Sequence, residues 1–249
     1  MGVIQERLPW GAVRKFANSK SLPPFVRSLG VALADDFGLV DEYYLKVVST
    51  EMSILEEAPN SFAVDPLSVI GGRASLYSTL YIVMRSLRPE RVVETGVARG
   101  LSSLVILAAL KENGRGHLYS IDFPISKDWL GGSGTPGYLV KGDLKTKWSL
   151  ILGKSSDKLP RLLAELGSID VFFHDSNHSY ENMKFEFATA WPFINREGLL
   201  VSDDVNSNSA FTELRDLTGG IGKIVKDERR KVELGILSKK SKSGLVYGS

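Results

Sequence analysis

Glu94, Gly96, Gly100 and Ser102 stand in the pattern E-x-G-x-x-x-G-x-S, and Asp122 closes the next apolar stretch, His117-Leu-Tyr-Ser-Ile-Asp122. Two glycines let a backbone turn tightly and come close to a ligand. A helix starting at Leu101 would offer its free N–H groups to a carboxylate or phosphate. An acid at the end of the following strand suits ribose hydroxyls. Together they point to a nucleoside-type cofactor, although G-x-x-x-G alone also describes an ordinary βα loop. A nicotinamide fingerprint needs G-x-G-x-x-G, and Ala98 occupies the place of its second glycine.

Four more residues with chemistry follow apolar runs. Asp175 and His178 lie in Phe172-Phe-His-Asp175-Ser-Asn-His178-Ser-Tyr180, and Asp203 and Asp204 in Gly198-Leu-Leu-Val-Ser-Asp203-Asp204-Val-Asn206. Three carboxylates brought together repel one another and raise their pKa values. A hard cation relieves that, and oxygen-only ligation suits Mg²⁺ or Ca²⁺ better than zinc. The alternative is that these acids cap helices, but Ser179 and Ser209 sit nearer the helix starts. His178 has the right chemistry to take a proton near neutral pH, or to hydrogen-bond a metal-bound carboxylate. His174 reads as structural, and His117 receives no role.

The elements that must position these residues alternate. Strands are expected over 91–95, 117–122, 149–152, 170–174 and 199–202, the last after a Glu197-Gly198 turn. Helices are expected over 75–87, 101–111, 158–166, 180–191 and 210–217, the last capped by Ser209, with a further helix over 139–148. A hairpin, 223–226 with 232–237, ends the core. Alternation of this kind predicts an α/β fold: a doubly wound, mainly parallel seven-stranded sheet, helices on both faces, and a C-terminal antiparallel hairpin. The segment 123–138 holds Gly131, Gly132, Gly134, Pro136 and Gly137 around Trp129 and reads as a lid loop.

An N-terminal helical cap is expected over 1–70, with helical spacing at 26–37 and 42–55. It reads equally as a packing extension or as a substrate lid or homo-oligomer surface. The core spans 71–238, and 239–249 is a basic, solvated tail.

Composition narrows the classes. With 249 residues, 43% hydrophobic and 24% charged, the chain is ordinary for a soluble globular protein. A net charge of +2 leaves no footprint for nucleic acid. No apolar run reaches membrane-spanning length. Cysteine is absent, so there is neither a disulfide framework nor thiolate chemistry, and a cytoplasmic setting is expected.

The combined order of motifs resembles the class I S-adenosylmethionine-dependent methyltransferases. Within them it is similar to the metal-dependent small-molecule O-methyltransferases of the catechol, macrolide-sugar and cephalosporin types. The resemblance covers about residues 75–205. It implies that Glu94, Gly96, Gly100 and Ser102 hold the methionine part of S-adenosylmethionine, and Asp122 the ribose hydroxyls. Ser155 and Ser156, in Gly153-Lys-Ser-Ser-Asp157, would border the adenine. Asp175, Asp203 and Asp204 match the ligands of Mg²⁺, and the substrate would be a small-molecule acceptor. The catechol group usually has Asn where Asp204 stands and a lysine base where His178 falls, so the base stays open between proton acceptor and second-sphere partner. Methyltransferase folds without a metal, or used for other chemistry, and non-enzymatic nucleotide binders are the alternatives.

Overall fold

A computed structural model of the chain describes residues 87–123, 135–140, 142–227 and 232–239, together with most positions between 76 and 85. The expected cap over 1–70, Trp129 with most of its loop, and the tail beyond 239 lie outside the described residues. The chain divides into two compact units, Met1–Leu87 and Arg88–Ser249. In the first, the described positions from 76 to 87 are helical. Leu76, Leu80, Val83 and Met84 are buried there, as their spacing predicts.

The second unit is built on one sheet: β1 (Arg91–Thr95), β2 (His117–Asp122), β3 (Trp148–Leu152), β4 (Ile169–His174), β5 (Ile194–Ser202), β6 (Ile221–Asp227) and β7 (Val232–Ser238). Their order is β3-β2-β1-β4-β5-β7-β6. The first five strands are parallel, and β7 runs antiparallel to both β5 and β6. The flanking helices are α1 (Leu101–Asn113), α2 (Ser155–Leu166), α3 (Tyr180–Ala190) and α4 (Ala210–Thr218).

Alternation along the central strands explains the two layers. Val93, Phe172 and Leu200 face one side, where they join Leu159, Leu162 and Leu163 of α2, Met183 and Phe187 of α3, and Phe211 and Leu214 of α4. Each large side chain removed from water there contributes about 1.5–3 kcal/mol. No residue of α1 joins that cluster. Its Leu104, Val105, Ile106, Leu107 and Leu110 are buried elsewhere, which makes it an inner helix with little polar face.

Several boundaries differ from expectation for identifiable reasons. Strand β5 begins at Ile194 rather than Leu199. Ile194 pairs with Ile169, and the register then shifts so that Leu199 meets Val171. Gly198 makes the irregularity feasible, since a Cβ there would lie 2.5 Å from the Asp170 carbonyl oxygen. Helix α2 starts at Ser155, three residues before its apolar period begins, because its first turn is polar and carries Asp157. The helix expected over 139–148 is only a 3₁₀ segment, Gly142–Lys147, with no buried residue. Trp148 belongs to β3, pointing its ring at Gly137, where a Cβ would meet Cη2 at 2.2 Å.

Strand order reverses between β2-β1 and β4-β5, so a crevice opens at the carboxyl ends of β1 and β4, where open α/β sheets bind ligands. Backbone bonds carry the alignment past the strand ends. Gly96 N–H donates to Ile121 O (2.9 Å), Asp175 N–H to Thr95 O (2.9 Å), and Asp203 N–H to His174 O (3.0 Å). Gly96 has φ 85°, and a Cβ on it would lie 2.0 Å from the Asp175 carbonyl oxygen. Gly96→Ala is therefore expected to destabilise the protein by about 2–4 kcal/mol, with a matching fall in melting temperature. A thermal scan that leaves the midpoint unmoved would contradict this close approach.

Candidate functional site

The loop after β1 is tied from two directions. Asp122, at the end of β2, accepts the N–H groups of Val97 (2.8 Å) and Ala98 (2.7 Å) on Oδ2. From the other side, Gly137 N–H donates to Ala98 O (2.8 Å) and Leu139 N–H to Arg99 O (3.2 Å). Ala98 holds φ 47°, a left-handed conformation that glycine adopts without strain. Gly100, φ 94°, is the N-cap of α1 and offers no side chain to its amides. A Cβ at Gly100 would sit 2.7 Å from Gly137 Cα. The result is a bare, backbone-lined turn leading into an uncapped helix N-terminus.

Glu94 lies beneath that turn and is fully buried. Oε1 accepts the Ser102 hydroxyl (2.6 Å), and Oε2 accepts those of Ser103 (2.6 Å) and Ser120 (2.6 Å). Ser120 in turn accepts Trp148 Nε1–H at 2.9 Å. The Glu94 and Ser102 side chains thus face each other in the interior. Burial raises the Glu94 pKa above its usual value, the three hydroxyls pull it back in part, and the nearby Asp122 adds to the rise.

Ser155 and Ser156 open α2 beside Gly153, whose N–H donates to Asp122 O at 2.9 Å. Ser156 is exposed, whereas Ser155 is half-buried and donates to Asn182 Oδ1 at 3.5 Å. Both therefore lie at the carboxyl end of β3, next to the strand that carries Asp122.

The second loop cluster brings His178 between two of the expected acids. Its Nδ1 is 3.2 Å from Asp204 Oδ2, and its Nε2 is 3.8 Å from Asp175 Oδ1. The imidazole is a quarter exposed. The next loop holds it from behind, Asn208 Nδ2–H donating to His178 O at 3.0 Å. Asp203 is 2% exposed, and Asp204 is held at φ 51°. Among the described residues, no three His, Asp or Glu side chains are grouped so that they could hold a metal ion. As arranged, Asp175 and Asp204 both approach the His178 ring.

Ser179 caps α3, accepting Asn182 N–H at 3.4 Å. Ser209 precedes α4 without capping it. Its hydroxyl donates to Glu213 (2.6 Å), and Asn208 Oδ1 accepts Ala210 N–H (3.0 Å) instead.

One polar residue escaped the sequence reading. Glu186 is fully buried on α3 and bonds with Thr95, His174, Ser176 and Asn182. Burial alone would raise its pKa, but the hydrogen bond and charge of His174, with nearby hydroxyls, outweigh that, and the net direction is down. The signal was present, because Glu186 interrupts the apolar face formed by Met183, Phe187 and Ala190.

Residues 93–205 match a family model described as a methyltransferase domain. The strand order and flanking helices are those of the Rossmann-like methyltransferase fold. Among solved structures, the O-methyltransferase TomG from Streptomyces achromogenes, involved in tomaymycin synthesis and in complex with SAM, is similar at 16% identity. That match covers 85% of this chain and 95% of TomG, with a TM-score of 0.54. An O-methyltransferase from Bacillus cereus, in complex with SAH, is similar at 12% identity over 83% of this chain and 94% of its own, with a TM-score of 0.50. No curated protein matches the sequence.

The raised pKa of Glu94 has a signed consequence. The folded chain binds this proton more tightly than the unfolded chain, so the group opposes folding at neutral pH. That opposition fades as pH falls toward the ordinary value of 4.5. Glu94→Gln removes the titration. Its melting temperature relative to wild type should therefore be highest near about pH 8 and drop as pH is lowered to about 5. A difference that stays constant across the range would show that Glu94 does not titrate there.

Proposed function

We propose that this protein is an O-methyltransferase that moves the methyl group of S-adenosylmethionine to a hydroxyl of a small molecule, with His178 accepting the hydroxyl proton. The observation that carries the reading is His178 held between Asp175 and Asp204, in a loop bonded through Asp175 N–H to the last residue of β1. The similarity to O-methyltransferases solved with SAM and SAH supports the same cofactor here.

The residues present fit that cofactor. Gly96 and Gly100 permit the tight backbone packing that shapes the turn, since a Cβ at either would collide with a neighbouring loop. The uncapped N-terminus of α1 suits the methionine carboxylate. Asp122 uses Oδ2 on the turn, which leaves Oδ1 for a ribose hydroxyl. Ser155 and Ser156 border the adenine edge. The bound cofactor supplies a methyl group on a sulfonium, whose release leaves a neutral thioether.

The work of the chain is positional and electrostatic. Holding an acceptor oxygen in line with the methyl carbon supplies several kcal/mol of the barrier, on the order of 7 or more in favourable cases. Asp204 fixes the imidazole and favours the charged form that appears when it takes the proton, while Asp175 does so from farther away.

Metal assistance at Asp175, Asp203 and Asp204 is a second reading, favoured by three acids at the ends of adjacent strands. Turnover that survives exhaustive EDTA supports His178 acting without a metal. Loss reversed by Mg²⁺ would assign the aspartates to the ion.

Two outcomes test the main reading. Asp122→Ala should weaken S-adenosylhomocysteine binding by about 1.5–3 kcal/mol in calorimetry. His178→Ala should keep that affinity while losing about 10²–10⁴-fold in turnover. Unchanged turnover in the His178 variant would remove it as the proton acceptor.

A further inference from the structure

We infer that Glu186 is a positioning residue that locks the loop carrying Asp175 and His178 to the end of β1. It reaches neither cofactor nor acceptor, having no exposed surface. It acts through the groups it holds.

A carboxylate has about four acceptor positions, and all of those on Glu186 are filled. Oε2 accepts Thr95 Oγ1–H at 2.6 Å and His174 Nδ1–H at 2.7 Å. Oε1 accepts Ser176 Oγ–H at 2.8 Å and Asn182 Nδ2–H at 3.1 Å. Each donor comes from a different part of the site. Thr95 ends β1 immediately before the cofactor turn, and His174 ends β4. Ser176 lies within the loop that presents His178, and Asn182 is in the first turn of α3. Asn182 also donates to Asn177 O at 2.8 Å, so the same helix holds the loop at a second point.

The arrangement goes beyond what folding needs. Apolar side chains at Met183, Phe187 and Ala190 already bury this face of α3. Charge-assisted bonds are short and directional, and a fully satisfied buried network fixes one geometry rather than a family of them. Glu186 also sets the histidine. By accepting from Nδ1, it directs the ring so that His174 packs edge-on against His178, with centroids 5.3 Å apart and planes at 69°. The path from Glu186 to His178 therefore runs through one ring contact and one short loop.

The inference rests on the proposed function only in treating His178 as the group that matters. The coupling of the two loops stands without it. The chain has three histidines, which makes their ring nitrogens a clean reporter in the full-length protein. His117 is the internal control, since it bonds with Ser149 and touches none of this network.

In Glu186→Gln, the ¹⁵N imidazole signals of both His174 and His178 are expected to shift or broaden while those of His117 stay in place. Amide exchange should accelerate by about tenfold or more in 96–100 and 175–179, with β2 and α4 unchanged. A purely structural role would instead raise exchange evenly across the domain, and that result overturns the inference. So does a His178 signal identical to wild type. If Glu186→Gln does not fold, Thr95→Val and Ser176→Ala each remove one bond. Both should loosen the same two loops to a smaller degree, and no change in either overturns the inference. None of these readouts depends on turnover, so they hold whether or not methyl transfer to a hydroxyl is found.

Discussion

A buried carboxylate with only hydroxyl partners sets the geometry of this domain. Glu94 is the penultimate residue of β1, and its three serines come from α1 and β2. The turn between β1 and α1 therefore has its strand, its helix and the neighbouring strand pinned to one side chain. Everything above the turn inherits that placement, including the free amides of α1 and the reach of Asp122 to Val97 and Ala98. An apolar residue at position 94 would leave three interior hydroxyls seeking partners, which is costly in a low-dielectric interior.

Two buried glutamates thus sit below adjacent loops with opposite electrostatic character. Glu94 is pushed toward its neutral form by burial, with the nearby Asp122 adding to the push and three hydroxyls opposing it. Glu186 meets an imidazole as well and is held as an anion. The first tightens β1 to β2 and α1, and the second tightens β1 to β4 and α3. The last two residues of β1, Glu94 and Thr95, alternate to opposite faces of the sheet, so one short strand serves both networks without crowding.

The fold was readable because its signals are periodic. Strand-ending acids, the glycine turn and the closing hairpin all fall where the pattern puts them. What the pattern could not give were contacts within the interior. Glu94 and Ser102 stand in one motif, yet a motif does not say that their side chains bond with each other. Glu186 was passed over because an acid on the apolar face of a helix does not by itself say what holds it. Only its partners, more than ten residues away in sequence for His174 and far more for Thr95, reveal it. The start of β5 was hidden for a related reason, since a register shift is a property of two strands and not of one.

The contact between Gly96 and the Asp175 carbonyl leaves no gap for a side chain between the two loops. The inner wall of the crevice is consequently a single piece, and donor turn and imidazole cannot be moved apart by substituting residues between them. Adaptation to new acceptors is thereby directed outward, to segments that do not share this wall. The chemistry at the base of the crevice and the choice of molecule at its mouth can then diverge at different rates.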